Sequence, residues 1–235
     1  MNQPAPIDKT AIRHAATVIV LRDRQTEPRV LMGQRGEKAA FMPNKFVFPG
    51  GAVDAGDADV PLAGTINDSC LANLLEQTDA DRTHALGVAA IRELWEETGL
   101  ILGSKGAWQT DPAEDWITFA ETGHVPNASA LQFVFRAVTP PGRPRRFDAR
   151  FFMIDADALT GDIDDFSEAS DELSHLQWIA LKDVRQFDLP FITEVVLAEI
   201  SGRSADAAPP ESVPMFLNNE EESLFLRLRG YTHGD

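Results

Sequence analysis

The segment Arg92-Glu93-Leu94-Trp95-Glu96-Glu97-Thr98-Gly99-Leu100 constrains this chain more than any other. Glu93, Glu96 and Glu97 fall at i, i+3 and i+4, so a helix through them puts three carboxylates on one face. Like charges at that spacing repel, and a helix that carries them needs a compensating cation. Oxygen ligands gathered without Cys or His suit a hard divalent ion, Mg²⁺ or Mn²⁺. An acidic surface helix ended by glycine is the plain alternative. Arg92, Leu94, Leu100 and an upstream Phe48-Pro49-Gly50-Gly51 set this segment apart from it.

The spacing predicts a helix over Arg82 to Thr98, capped by Asp81 or Thr83 and stopped by Gly99 at C′. Leu86, Ala90 and Leu94 form its core stripe, with Ile91 and Trp95 beside them. Short β-branched or aromatic runs predict strands at Ala16–Leu21, Arg29–Met32, Phe46–Phe48, Gln132–Ala137, Arg150–Ile154 and His175–Leu181. The first two form a hairpin. Further helices are expected at Ser69–Gln77, from a cap at Asp111-Pro112-Ala113-Glu114 to near Gly123, and over Pro190–Ile200. Ser201 to Ser212, with Pro209-Pro210, reads as a linker into a C-terminal arm running to residue 235. Helices alternating with strands indicate one α/β domain, a sandwich built on a mixed sheet.

Hydrophobic residues make up 43% of the chain, enough for a sizeable core. Its 37 acidic against 21 basic residues leave a net charge of −16, which argues against nucleic acid or an anionic membrane as main partner. An anionic small molecule stays compatible, because a bound cation inverts the local field. Cys70 is the single cysteine, which fits a reducing compartment. Met1 to Thr10 has no apolar run and no stretch approaches about 18 apolar residues, so the expectation is a cytoplasmic protein. His14, His84, His124, His175 and His233 show no ligand spacing.

Phe48-Pro49-Gly50-Gly51, followed downstream by Arg-Glu-aliphatic-x-Glu-Glu-x-Gly-aliphatic, resembles the Nudix hydrolase box. In that family the box reads Gly, five residues, Glu, seven residues, and then the second half seen here. In this chain Gly51 leads after five residues to Asp57 instead of Glu, and 34 residues separate Asp57 from Arg92. A minority branch, including peroxisomal coenzyme A diphosphatases, is similar in carrying a long insert inside the box. Ala15-Ala16-Thr17-Val18, Phe41-Met42 and Arg145-Arg146-Phe147-Asp148 before Phe151-Phe152 also resemble that branch.

The resemblance implies a Nudix fold, an α/β/α sandwich, and hydrolysis of a diphosphate linkage in a nucleoside diphosphate derivative, with CoA or acyl-CoA among the candidates. Sugar nucleotides, NADH and oxidised nucleotides stay open. It implies that Glu93, Glu96 and Glu97 hold Mg²⁺ or Mn²⁺, that Arg92 orients a carboxylate, and that Gly50 and Gly51 shape the substrate loop. Asp57 would pair with Arg92, with Asp54 or Asp59 as substitutes. Glu172, or alternatively Glu168, would add a carboxylate from a distant loop, against the bland reading of a solvated acidic loop. Arg35, with Gln34, and Arg145 with Arg146 are candidate phosphate contacts, against roles in turns or internal salt bridges. Phe41 is a candidate base stacker or an ordinary loop aromatic. The insert, about 58–87, would be a lid, padding or a homodimer contact. The alternative function is a non-catalytic Nudix-like module that binds a nucleotide metabolite and regulates a partner. Isomerase chemistry on this fold would want a catalytic Cys, and Cys70 lies inside the insert.

Overall fold

The computed structural model describes residues 11–39, 42–143, 145–218 and 222–230. Phe41 and His233 lie outside the described residues. In chain order the elements are β1 (Ile12–Arg22), β2 (Arg29–Arg35), β3 (Phe46–Val47), β4 (Gly50–Ala52), a 3₁₀ turn at Ala55–Ala58, α1 (Asp68–Leu75) and α2 (Ala80–Thr98). Then come β5 (Gly103–Lys105), α3 (Ile117–Glu121), β6 (His124–Pro126), β7 (Gln132–Val138), β8 (Arg146–Asp155), β9 (Leu173–Ala180), α4 (Phe191–Ser201), β10 (Val213–Asn218) and β11 (Ser223–Leu228).

Among the described residues one sheet of nine strands runs β11-β10-β7-β8-β1-β2-β3, with β4 paired to β1 and β9 to β2. Its middle is β1 lying parallel to β8 from Ile12/Arg146 to Leu21/Asp155, so the sheet is mixed. Alternation along β1 builds two cores. Ala16, Val18 and Val20 pack with Leu86, Ile91 and Leu94 of α2, while Ile19 and Leu21 pack with Val196, Leu197 and Ile200 of α4. Helices therefore cover both faces, which is the expected α/β/α sandwich.

The insert is part of the core. Val60, Ile66, Cys70 and Leu74 are buried in the same cluster as Leu86, and with them Val213, Met215 and Leu228 of the last two strands. Asn73 donates to the Pro210 carbonyl at 3.2 Å, and Glu76 accepts from the Arg229 and Gly230 amides at 2.6 and 2.9 Å. The C-terminal arm is thus a correction: it is a hairpin whose β10 adds to β7 at Met215/Arg136 and Phe216/Ala137. The stretch read as a linker is pinned too, since the buried Arg24 guanidinium donates to the Ser204 carbonyl at 2.6 Å.

Other differences have local causes. α2 begins at Ala80 after an N-cap at Asp79, ahead of Asp81 and Thr83, and the Thr83 hydroxyl instead donates to the Ala80 carbonyl at 2.6 Å. Ala113, not Asp111, precedes a 3₁₀ turn at Glu114–Trp116, where Trp116 is buried against Trp108 and Phe119. β8 starts four residues before Arg150, because Asp148 and Arg150 point inward and satisfy each other and Arg136, hiding the strand from a hydrophobic pattern. Gly99 ends α2 as expected, with φ 73° and its amide on the Trp95 carbonyl at 2.7 Å.

Leu74→Ala is expected to destabilise the chain by about 2–5 kcal/mol in urea unfolding, as a truncation in a packed core does. A cost below about 0.5 kcal/mol, typical of a surface position, would mean that the insert is loosely attached.

Candidate active site

The site forms where β4 lies against β1 and the C-terminal half of α2 crosses them. Gly50 and Gly51 pair with Thr17 and Ala16, and the fit leaves no room for side chains. A Cβ on Gly50 would stand 2.6 Å from the Ala16 carbonyl oxygen, and one on Gly51 would stand 2.5 Å from Glu93 Cδ. The two glycines therefore let the strand approach the helix carboxylates.

Arg92 organises what lies behind them. Its Nε and Nη2 donate to Asp57 Oδ1 and Oδ2 at 2.9 and 3.1 Å, a bidentate pair between two buried side chains. Nη2 also donates to the Ala52 carbonyl at 2.9 Å, and Nη1 to Glu93 Oε1 and Glu96 Oε2 at 2.9 and 3.1 Å. Burial works against the charge, but the Asp57 hydrogen bonds and the Glu93 field outweigh it and raise the Arg92 pKa. Asp57 takes a third bond from the Asp54 amide at 2.8 Å, so it is only 2% exposed and fully partnered. Asp57, not Asp54 or Asp59, thus makes the close pair with Arg92. Asp54 is an outer neighbour, 3.6 Å from Arg92, and Asp59 closes the 3₁₀ turn.

The three helix glutamates differ in environment. Glu97, 2% exposed, accepts from the Gly50 amide at 2.7 Å through Oε2, while its Oε1 is buried without a partner. Burial, then the Glu93 charge, push its pKa up to about 8. Burial raises Glu93 to about 7 against the pull of Arg92, and burial also raises Glu96. Burial and the neighbouring carboxylates thus favour the protonated form at these positions, and a bound cation would favour the charged one. Among the described residues no three acidic, His or Cys side chains form a ready cage for a metal ion. A hard cation bound through one or two carboxylates, water and substrate oxygens suits this arrangement, as is usual for Mg²⁺. The orphaned Glu97 oxygen and the raised pair fit such an ion.

Glu172 lies exposed in the loop before β9, and its charge acts on Glu93, Glu96 and Glu97 alike. The loop is tied to α2 by the Ser170 amide on the Glu96 carbonyl at 2.8 Å. Glu168 instead packs against Gly99. Arg35, at the end of β2, lowers Glu97 by its charge and keeps a buried Nε without a partner. Gln34 is committed to the Asn44 carbonyl at 2.9 Å, and Arg146 to the Thr139 carbonyl at 3.3 Å, so these two serve turns. Arg145 is exposed and belongs to the turn before β8. The residues missed from sequence are Ala52, which contributes only its carbonyl, and Asp115, whose charge raises Glu96 from α3's approach.

No family model matches the chain. A Caenorhabditis elegans protein with the provisional name nudix hydrolase 7 is 31% identical over 183 residues, 73% of this chain and 52% of that protein. The chain belongs to the Nudix hydrolase family. It spans about half the length of that relative. A solved Nudix hydrolase from Alicyclobacillus acidocaldarius is 25% identical and superposes with a TM-score of 0.59, covering 83% of this chain and 96% of that one. A MutT Nudix hydrolase from Burkholderia pseudomallei is 18% identical, with a TM-score of 0.46 over 81% of this chain and 98% of that one.

Two outcomes follow from the electrostatics. Asp57→Ala leaves the Arg92 charge buried with poorer partners and should cost about 3–5 kcal/mol in denaturant unfolding, whereas Asp59→Ala should be near neutral. The folded chain keeps protons on Glu93 and Glu97 at pH values where the unfolded chain has lost them. Its stability in chelator should therefore fall as pH rises from about 4.5 through 8. Glu97→Gln should flatten that slope, and thermal melts across pH read both; a slope unchanged by the substitution would contradict the assignment.

Proposed function

We propose that this chain is a divalent-metal-dependent hydrolase of a diphosphate linkage in a nucleoside diphosphate derivative, with Mg²⁺ or Mn²⁺ as cofactor. The observation that carries the reading is Glu97: a buried carboxylate with one oxygen unpartnered, beside Glu93, at the mouth of a glycine loop. Glu93, Glu96 and Glu97 would hold the ion. A bound divalent ion neutralises charge on the phosphate oxygens and stabilises the leaving phosphate.

The chain's own residues do the rest. Arg92 stays off the substrate and fixes Glu93 and Glu96 against the turn at Asp57. Gly50 and Gly51 let the diphosphate approach the backbone. Arg35 offers its guanidinium to a phosphate oxygen near Glu97. Glu172, already acting on all three glutamates through its field, supplies a carboxylate from the facing loop, where it can accept a proton from the attacking water.

CoA and acyl-CoA enter the substrate panel because the insert inside the box resembles that of a CoA-cleaving branch. ADP-ribose, NADH, diadenosine polyphosphates, sugar nucleotides and oxidised nucleotides complete it. Turnover is expected only with Mg²⁺ or Mn²⁺, and to vanish with a chelator. Glu97→Gln should lower kcat by roughly 10²- to 10⁴-fold with no loss of thermal stability. Unchanged kcat would remove the metal role, and tight binding of a panel member without cleavage would favour the regulatory-module reading instead.

A further inference from the structure

The sheet ends at β11, at the far end of the strand order from β2 and β3. Among the described residues no strand pairs with its outer side. The strand Ser223-Leu224-Phe225-Leu226-Arg227-Leu228 pairs with β10 over all six positions without a bulge. It holds no Pro, Lys or acidic residue, and its one charged side chain, Arg227, is engaged by Glu199 at 3.8 Å and Ser212 at 3.4 Å. Phe225 is 53% and Leu226 37% exposed. Phe225 sits 6.2 Å from Phe135, and the nearby Phe216 carries Phe191, itself 67% exposed, at 6.1 Å.

The pairing with β10 tells which backbone groups are available. Pro214 stands opposite Arg227 and has no N–H to give. The ladder bonds to β10 therefore come from Leu224, Leu226 and Leu228, and the alternate residues Ser223, Phe225 and Arg227 turn their N–H and C=O outward. Partners in an antiparallel pair share a sheet face. Two copies related by a twofold axis must then pair odd-numbered residues with odd and even with even. Placing Phe225 on Phe225 of the second copy meets that condition and uses every outward group from Ser223 to Arg227. It sets Ser223 opposite Arg227 and Leu224 opposite Leu226, with no like charges facing. Most surfaces of a chain with net charge −16 repel a second copy, but this acid-free strand does not.

We propose that β11 is a homodimerisation edge, joining two copies antiparallel about a twofold axis at Phe225 so that their sheets become continuous. Sedimentation velocity of the full chain over a concentration series is expected to show a reversible dimer that tightens with salt, as screening removes the general repulsion. Phe225→Lys should weaken association by at least about tenfold, the effect of a charge facing its own copy on a shared edge. Ile117→Lys, at an exposed apolar position on α3, should not. Mild oxidation should link Phe225→Cys chains covalently, because directly opposed residues come within disulfide reach, and should not link Leu224→Cys chains, which lie on a diagonal. A monomer at every concentration, a dimer indifferent to Phe225→Lys, or equal cross-linking at both positions would overturn the proposal.

Discussion

The paired guanidinium of Arg92 and carboxylate of Asp57 is the contact around which the rest of the site is arranged. Taking a guanidinium out of water costs several kcal/mol, and the cost is met only because Asp57, the Ala52 carbonyl, Glu93 and Glu96 all accept from it. The same bonds tie the glycine strand β4, the turn after it and α2 into one unit. Glu97 is the carboxylate Arg92 does not reach. It is left with the Gly50 amide and one bare oxygen.

That arrangement explains how a box interrupted by so many residues keeps its geometry. The chain leaves the site just after Asp57, builds α1, and returns through added N-terminal turns of α2. The inserted residues are held by burial, through Cys70 and Leu74, and by Glu76 and Asn73, which grip the chain around the last hairpin. The insert thus links the centre of the domain to the far end of its sheet. A segment that reads as an interruption along the chain is, in space, the support for β10 and β11.

Legibility followed periodicity and local chemistry. α2, α4 and the strands β1, β2 and β7 carry runs long enough for hydrophobic spacing to reveal them, and Gly99 marks a helix end by needing a left-handed backbone. β8 was only half visible because its buried face includes Asp148 and Arg150, which are inside only as partners of Arg136 and His14. β4, β5 and β6 are three residues each, too short for any pattern, and exist because neighbours hold them. The strands of the C-terminal hairpin follow a loop rich in turn residues, and nothing local says that they join the sheet.

By itself the amino-acid sequence determined the helix that carries Glu93, Glu96 and Glu97, the glycine pair that must lie close to something, and the family these resemble, because spacing on a helix and steric permissiveness are local properties. Only the tertiary structure decided that Asp57 meets Arg92 across the insert, that Glu172 lies close enough to act on the helix glutamates, and that the arm becomes two strands. Those depend on which surfaces are buried together, and burial is settled between segments distant along the chain.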